Sequence, residues 1–543
     1  MSTTRQSAGG QVLTSSGRHG AAPAPAFSPS EVLELVERIR TPVHLVRERS
    51  TGRPGLADAS AADGLPESLF EIIGSLPALY PEWLGDRSFC ETHRLRFPYL
   101  AGEMANGIAT VEMVTAMAEA EMMGFFGAGG LGYEAVARGV DELTGRLRER
   151  TNWGVNLIHS PNEPAIEERV ADLLIRTGVP RISASAFMDL TPAVVRCALV
   201  GLTVLPSGEV ARRVQVFAKV SRPEVAEKFM SPAPGAIVDV LLRRGEITPL
   251  EAELAARVPV ADDVTVESDS GGHTDNRPLA ALLPAITDLR DVLARRHGFA
   301  RQIRIGAAGG LGTPAAVAGA FALGAAYVVT GSVNQTAREA GLSEDAKTML
   351  AQADLADVTM APAADMFELG VKLQVLRRGT LFPARAAQLY NLYTAHPSLE
   401  AIPAEARTRL EQDVLRAPID EIWRTTREFW QRRDPAQLTR AEHDPKHRMA
   451  LVFRWYLGNS SRWAIQGTVE RRSDYQIWCG PAMGAFNRWT ADSFLAEPEN
   501  RTVVQIARNL MEGAAVAGRA HQVRNHGVPV PSAAFSFRPR RLA

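Results

Sequence analysis

Two glycine-rich turns, each directly after a short apolar run, are the segments whose residue types best suit ligand binding. Glycine lets backbone N–H groups approach a ligand closely. The first turn leads into Thr313-Pro314, a typical helix start, and the positive end of a helix dipole favours anions. The pair predicts a cradle for a phosphate group, with ordinary tight turns of an α/β protein as the alternative. The turns are Ala308, Gly309, Gly310, Leu311 and Gly312 in the first, and Gly331 and Ser332 in the second.

His273 is the single residue best suited to proton transfer. It follows Gly271-Gly272 directly after an apolar run, so a tight turn is expected to expose it where ligands bind. Imidazole titrates near neutral pH and can donate or accept a proton there. We therefore interpret His273 as the catalytic residue. His159 is a weaker candidate that could simply hydrogen-bond a loop.

The remaining candidate positions come at the ends of other apolar runs and are mostly small. Small side chains allow close contact with a planar ring, an amide can hydrogen-bond a heterocycle edge, and an ammonium group places positive charge beside a ring or phosphate. Few acids are present and no His, Asp and Glu cluster converges, so we predict a flat, extended cofactor and no metal. Two side chains have structural alternatives: Asn156 could satisfy a loop backbone, and Lys219 could pair with a carboxylate. The predicted cofactor-binding set is Gly102, Met104, Asn156, Lys219, Gly271 and Gly272, together with the two glycine turns.

These residues must be brought together by a fold in which the ends of several strands lie side by side. The sequence pattern of the chain predicts such a fold. Short apolar runs alternate with helical stretches, which indicates βαβ units and a parallel sheet. Eight strands over about 235 residues match a (β/α)8 TIM barrel, an α/β fold whose carboxyl strand ends carry the ligands. A doubly wound sheet is the alternative. The strand candidates are 97–101, 124–128, 153–158, 181–185, 214–220, 264–267, 303–307 and 326–330.

Composition shifts along the chain predict five segments. The first is rich in Gly, Ala, Ser and Pro without an apolar stretch, which is typical of a disordered tail and not of a targeting signal. A small N-terminal module and the barrel follow, then a helical subdomain packed on one barrel face and a loose, Pro/Arg-rich tail. The predicted segments are 1–30, 31–95, 96–340, 341–527 and 528–543.

The overall composition argues against several classes of function. With 60 basic and 61 acidic residues the net charge is −1, which gives no long-range attraction to nucleic acid or to an anionic membrane. No long apolar run predicts a membrane span. Three widely spaced cysteines indicate reduced thiols and a cytoplasmic protein, with neither a disulfide framework nor a zinc site.

Longer motifs surround these strand ends, among them GVNLIHSPNEP at 154–164 and DSGGHTDNRP at 269–278. On these motifs the chain resembles the PfaD family, trans-acting FMN-dependent enoyl reductases of polyunsaturated fatty acid and trans-acyltransferase polyketide synthases, relatives of nitronate monooxygenases. One departure is that the eighth strand ends in Gly-Ser-Val-Asn where nitronate monooxygenases have Gly-Thr-Arg, which puts a simple transfer of phosphate contacts in doubt. The other motifs of the resemblance lie at 183–192, 306–313, 331–335, 444–449 and 475–482.

The resemblance implies a chemistry and a set of partners. NADPH would reduce FMN, and the flavin would pass hydride to the β-carbon of a 2-enoyl thioester, with His273 near the flavin. The acyl chain would arrive on an acyl carrier protein, whose acidic surface is expected to dock on basic residues near the site. The family also implies other synthase components as partners and a homodimer. The docking candidates, with intramolecular ion pairs as their alternative, are Arg377-Arg378, Arg471-Arg472 and Lys446–Arg448.

Two other functions stay open at this point. A nitronate monooxygenase-type flavin oxidase would use the same fold, although a small nitronate needs no long helical extension. A non-catalytic docking subunit of a synthase would belong to another class, although a scaffold has no use for a phosphate cradle. The acyl chain, the stereochemistry, the proton donor and the choice between NADPH and NADH are not determined by the sequence.

Overall fold

The computed structural model describes residues 24–60, 65–161 and 163–542. They form two compact units, one made of residues up to 79 together with 519–534, the other of residues 80–518 together with 535–542. Residues 1–23, most of the predicted tail, lie outside the described residues. Within the described ranges, no helix combines the length and the apolarity needed to cross a membrane.

The smaller unit is built on a three-stranded antiparallel sheet whose first strand is central. The helix before it begins at Pro29, because the side chains of Ser28 and Glu31 cap its N-terminus reciprocally. Its elements are α1 Pro29–Glu37, β1 Val43–Glu48, β2 Pro54–Asp58 and β3 Phe70–Leu76.

The larger unit contains a closed barrel of eight parallel strands, which confirms the predicted TIM-barrel fold and excludes the doubly wound sheet. Each strand candidate from the sequence overlaps one barrel strand. Phe89, Phe217 and Tyr327 form a buried aromatic cluster with residues of these strands. The barrel strands are β4 Tyr99–Ala101, β5 Met123–Phe126, β6 Trp153–Ile158, β7 Arg181–Ser185, β10 Gln215–Val220, β11 Asp263–Glu267, β13 Arg304–Ala308 and β14 Val328–Thr330, and the short strands outside the barrel are β8 Thr203–Val204, β9 Val210–Ala211 and β12 Gly272–His273.

Helices precede and connect the barrel strands, as the βα rhythm requires. The connection between β10 and β11 contains three of these helices. Several begin at a proline preceded by a side-chain cap, such as Thr191 before Pro192 and Thr313 before Pro314. These helices are α2 Arg87–His93, α3 Val111–Glu119, α4 Tyr133–Leu147, α5 Pro164–Arg176, α6 Pro192–Leu199, α7 Pro223–Phe229, α8 Gly235–Arg243, α9 Pro249–Leu254, α10 Leu279–His297 and α11 Pro314–Ala322.

The N-terminal end of the barrel is closed by a buried network of charged and polar side chains. Arg304 binds Asp263 with two hydrogen bonds of 2.7 and 2.8 Å. His93 Nε2 lies 3.0 Å from the same carboxylate, and Arg181 Nε donates to His93 Nδ1 at 2.8 Å. In this arrangement His93 is neutral, since one ring nitrogen accepts while the other donates.

After residue 340 the chain is mainly helical, as predicted, and it packs a second hydrophobic core around Phe367, Phe382 and Phe453. It also contains two strands that the sequence analysis missed, β15 Val358–Pro362 and β16 Lys372–Leu376. They pair with each other and, through β16, with β12 in an antiparallel sheet. The helices are α12 Glu344–Ala351, α13 Phe382–Ala395, α14 Ala404–Arg409, α15 Ile419–Arg433, α16 Pro435–His443, α17 Pro445–Gln466, α18 Ala482–Thr490 and α19 Val503–Asn525, with one π-helix at Leu410–Leu415.

The end of the chain, predicted as a loose tail from 528, is held in place. Phe537 is buried, and its carbonyl accepts a 2.6 Å hydrogen bond from Trp489 Nε1. Leu542 N donates to Gln505 Oε1 at 3.1 Å. The prediction of a loose tail was wrong for these residues. Composition indicates only that a segment lacks regular secondary structure, and here side chains of α18 and α19 hold its backbone in place.

Candidate active site

The two predicted glycine turns are neighbours, because β13 and β14 are adjacent parallel strands. Gly309 and Gly310 have φ of +87° and +71°, in the left-handed region that favours glycine. Gly309 also lacks room for a side chain, since a Cβ would lie 2.5 Å from Ser268 Oγ. At Gly310 and Gly331, by contrast, none of the described atoms lies within 4 Å of the position that a Cβ would take. The side of each residue on which a Cβ would stand is therefore open, as a phosphate cradle requires.

The C-terminal part of the chain packs against both turns. Ser332 Oγ accepts a 3.1 Å hydrogen bond from Gly480 N, and a Cβ on Gly312 would collide with the carbonyl oxygen of Ala482. At the end of β13, the carbonyl of Ala308 accepts from Ser268 Oγ at 2.8 Å. The turns are therefore fixed by their surroundings while Gly310 and Gly331 stay open.

His273 lies on the two-residue strand β12, which is held against β16. Gly272, with φ of +83°, provides the turn that precedes it. His273 Nε2 lies 3.2 Å from Asp365 Oδ1, in the loop after β15. The His273 side chain is 34% exposed, so a ligand can reach it.

The electrostatics of this pair favour the charged form of both groups. Burial alone would lower the pKa of His273, but the hydrogen bond to Asp365 and the charges of Asp365 and Glu267 outweigh burial and raise the pKa above its ordinary value. Burial would likewise raise the pKa of Asp365, yet the His273 hydrogen bond and charge hold it below its usual range. The pair thus favours the protonated form of the imidazole.

Side-chain hydrogen bonds fix the loop on both sides of His273. Gln374 Nε2 donates to Asp269 Oδ1 at 2.8 Å and to the Ser270 carbonyl at 2.7 Å. Asn276 Nδ2 donates to the same Asp269 oxygen at 2.9 Å. Gly271 packs so closely on Cys479 that a Cβ would lie 2.8 Å from the Cys479 backbone nitrogen. The structure therefore gives Gly271 a close-packing contact that helps to position the loop carrying the histidine.

Lys219 lies near the end of β10 between two carboxylates. Its Nζ is 3.1 Å from Glu103 Oε1 and 3.4 Å from Glu267 Oε1, and Ser183 Oγ also donates to Glu103 at 3.0 Å. Burial by itself would lower the pKa of Lys219, but the charges of Glu103 and Glu267 raise it above the ordinary value. The structural alternative for Lys219, an ion pair with strand-end carboxylates, is what the structure shows.

Three other predicted positions lie at the same strand ends. Asn156 is buried on β6, where its Nδ2 donates to the Ser183 carbonyl at 3.0 Å and to Ser185 Oγ at 2.8 Å. Gly102 N donates to the Thr330 carbonyl at 2.9 Å, which ties the first strand end to the eighth. Met104 is buried two residues further on.

His159 and the predicted docking residues make intramolecular contacts. His159 Nδ1 hydrogen-bonds Glu167 Oε2 at 2.9 Å, and its ring stacks on that of Phe187. Arg378 pairs with Asp357 at 3.2 Å. The other docking candidates with intramolecular contacts are Lys446, which binds the carbonyls of Tyr393 and His396, Arg448, which pairs with Glu400, Arg471, which pairs with Asp474, and Arg472, which pairs with Asp345.

Sequence reasoning did not single out four polar residues of the site: Glu103, Glu267, Asp365 and Gln374. Glu267 ends β11 and Glu103 is the second residue after β4, so their position was a usable signal. Asp365 and Gln374 come from the missed strand pair, a hundred residues along the chain from the His273 loop, and no local pattern connects them.

This chain is similar to parts of longer proteins whose names refer to polyunsaturated fatty acid synthase and to polyketide biosynthesis. It is 41% identical over 544 residues to a polyunsaturated fatty acid synthase polypeptide of Thraustochytrium sp., in a match that covers 96% of this chain and 35% of that protein. It is 44% identical over 435 residues to the polyketide biosynthesis protein PksE of Bacillus subtilis, covering 80% of this chain and 56% of PksE. The chain thus spans roughly a third to just over half of the length of these relatives.

A solved structure is matched over almost its whole length. The enoyl reductase domain of MlnA, from the macrolactin biosynthesis cluster of Bacillus amyloliquefaciens, is 37% identical with a TM-score of 0.77, and the match covers 82% of this chain and 99% of that domain. In addition, residues 396–475 match a family model described as the inserted helical domain of acyl-carrier-protein S-malonyltransferase.

Proposed function

The chain belongs to the PfaD-like enoyl reductases, which have the nitronate monooxygenase-like fold, and from that premise we propose that it reduces the 2,3-double bond of an enoyl thioester. The substrate would be carried by an acyl carrier protein in polyketide or polyunsaturated fatty acid biosynthesis, which the names of the relatives support. FMN would be the bound cofactor and NADPH the source of hydride. The enzyme would therefore be a trans-acting oxidoreductase.

The residues of the two glycine turns fit the phosphate of FMN. Gly310 and Gly331 leave open the space that a Cβ would occupy, so their backbone and that of Ser332 can approach an anion. Gly102, Met104 and Asn156 would lie against the ring system. When bound, FMN supplies transfer of hydride from NADPH to the β-carbon of the substrate.

His273 would complete the reduction as the hydrogen-bond and proton donor. Reduction at the β-carbon leaves negative charge on the thioester oxygen, which needs a hydrogen-bond donor, and an α-carbon that needs a proton. Because Asp365 holds Nε2 of His273, Nδ1 would be the ring nitrogen that faces the substrate. The observation that carries the proposal is this charged pair on the same barrel face as the open glycine turns.

The test is turnover by the FMN-loaded protein. We expect NADPH oxidation that depends on a crotonyl group attached to an acyl carrier protein, followed by absorbance at 340 nm (roughly the NADPH band). His273→Ala should retain FMN and lower kcat about 100-fold or more, which is typical of losing a general acid. The exposed His443→Ala on α16 serves as the matched control and should behave as wild type.

The two competing functions give different results in the same assay. Oxygen uptake with an alkyl nitronate and no thioester reduction would indicate a flavin oxidase. Carrier-protein binding without FMN would indicate a docking subunit. Either result contradicts the proposal.

A further inference from the structure

A cavity of about 500 Å³ opens beside the loop that carries His273. It lies between the turn that follows β10 and the segment that connects β12 to α10. One wall carries charged groups, and Pro278 and Leu282 form part of an apolar wall. The cavity therefore combines apolar surface with guanidinium groups, as a site for an extended anionic arm does.

The Arg222 wall of this cavity is fixed by an ion pair. Arg222 holds Asp275 with two hydrogen bonds, from Nε at 2.9 Å and from Nη2 at 2.8 Å, and Ser221 Oγ donates to the same carboxylate at 2.7 Å. These hydrogen bonds, opposed by burial, hold the pKa of Asp275 at about 2. The donors of Arg222 are thus used by Asp275, and Glu224 adds a second negative charge near the guanidinium.

Arg277 is different, because its guanidinium makes no ion pair or hydrogen bond with the residues that the structure describes. It is exposed and lines the same cavity. Its backbone is nevertheless fixed: the Arg277 carbonyl accepts from Asp269 N at 3.0 Å, and the preceding Asn276 is held by Asp269 and Gln374. The charge of Arg277 acts on the Asp275 carboxylate of the same cavity, but its N–H donors have no partner among the described residues. A guanidinium with unused donors on a loop whose backbone is held is suited to bind an anion with little loss of entropy.

We infer that Arg277 binds a phosphate ester on the arm of one of the two reactants, an inference that rests on the proposed function. A guanidinium presents paired N–H donors that match phosphate oxygens. Both proposed reactants carry such a group far from the reacting atoms: the phosphopantetheine arm of the carrier protein, and the 2′-phosphate of NADPH. The apolar wall suits the methylene and amide units of the former, and the experiment separates the two sources.

The test compares ligands that differ by one phosphate. Calorimetric titration of the FMN-loaded protein would use 4′-phosphopantetheine against pantetheine, and NADP⁺ against NAD⁺. We expect wild type to bind the phosphorylated member of one pair about tenfold more tightly, the value of one charge-assisted contact, and Arg277→Ala to abolish that preference. The pair that responds identifies the source of the phosphate.

Two further variants sharpen the result. Glu224→Gln should increase the preference, because it removes a negative charge from the cavity wall. Arg295→Ala, an exposed arginine sixteen residues after Leu279 on α10 and thus about 24 Å away along the helix, should match wild type.

Binding is measured without turnover, so the inference is judged apart from the proposed function. If Arg277→Ala leaves the phosphate preference of both pairs unchanged, or wild type shows none, the inference is overturned. If wild type reduces no thioester, yet binds 4′-phosphopantetheine more tightly than pantetheine and loses that preference in Arg277→Ala, the proposed function is wrong and the phosphate site at Arg277 is confirmed.

Discussion

His273 differs from an ordinary surface histidine because of the charges that face it. Asp365 and Glu267 favour its protonated form, while Lys219 opposes it from the adjoining ion-pair network. Burial lowers the pKa of His273, but the balance raises it, and the Asp365 hydrogen bond is the largest of the contributions that favour the charged form. The proton affinity of the proposed donor is therefore set by a residue outside the barrel strands.

Asp365→Asn should move the pH dependence of the enzyme. Removing the carboxylate lowers the pKa of His273, and since the protonated ring is the proposed donor, activity falls as pH rises through that pKa. We expect the fall in kcat to occur at a lower pH in the variant than in wild type, with little change in kcat well below that pH. Paired measurements are kcat against pH and NMR titration of the His273 ring.

Asp291→Asn, which alters an exposed carboxylate on α10 paired with Arg290, is the control and should leave the profile unchanged. An Asp365→Asn enzyme with the wild-type midpoint would show that the pair does not tune the histidine.

His93 titrates in the opposite sense, and it makes a prediction about stability. Burial, reinforced by Arg181 and Arg304 and opposed by Asp263, lowers the pKa of His93 to about 4. An unfolded chain binds this proton near pH 6.5, whereas the folded chain does not bind it until about pH 4. Stability is therefore complete above pH 6.5 and is lost as pH falls from 6.5 to 4, by about 3 kcal/mol from this group alone.

The measurement is the free energy of unfolding of the larger unit against pH, with His93→Gln as the comparison. Glutamine keeps a donor and an acceptor but does not titrate, so the variant should be less stable at pH 7 and have a shallower slope between pH 6.5 and 4. An identical slope in the two proteins would assign the acid sensitivity to other groups.

At the scale of elements, the βα turns after β13 and β14 combine rigidity with two open positions. Gly331 is the more informative of these, because its φ of −125° lies outside the left-handed region that favours glycine, and a Cβ there would meet no described atom beyond its chain neighbours. A methyl group at this position should therefore leave the fold intact while it occupies the proposed phosphate cradle.

Gly331→Ala should weaken FMN binding about tenfold or more without lowering the melting temperature of the FMN-free protein. Fluorescence titration of FMN gives the affinity. Gly319→Ala within α11, where a Cβ also meets none of the described atoms, is the matched control and should bind FMN as wild type does. Unchanged FMN affinity in Gly331→Ala would show that this turn does not bind the phosphate of FMN.

The barrel elements were predictable because their signals are local. Each strand is a short, mainly buried run, and all but β6 are followed directly by a small residue. The eight strands together fix the fold and place Gly310, Gly331 and His273 on one face. The sheet that holds His273 was not predictable in this way. β12 has two residues, and its pairing with β16 is set by contacts a hundred residues apart, which no periodicity records. Asp365 and Gln374 were missed for the same reason.

At the scale of the whole larger unit, the helical segment after residue 395 is joined to the barrel by a specific contact. Arg433, at the end of α15, holds Glu163 through two hydrogen bonds of 2.5 and 2.8 Å. Glu163 directly precedes α5, in the loop that follows β6 at the carboxyl face of the barrel. The contact therefore attaches the segment that matches a helical-domain family model to the loops around the candidate site.

Arg433→Ala should loosen this attachment without unfolding the barrel. Both side chains are largely buried, 28% and 21% exposed, so the pair is expected to contribute about 1 kcal/mol, more than a fully exposed ion pair. Amide hydrogen exchange in α15 and α16 should then accelerate about fivefold, while exchange in the barrel strands stays unchanged.

The control for this exchange experiment is Arg424→Ala on the same helix, whose exposed pair with Glu428 lies within α15 and does not reach the barrel. Its effect on exchange should be much smaller. Exchanging the charges, Glu163→Arg with Arg433→Glu, should restore only part of the protection, because the positive residue at the start of α5 opposes the helix dipole. If Arg433→Ala and Arg424→Ala accelerate exchange equally, the helical segment is held by its apolar contacts and the ion pair does not attach it.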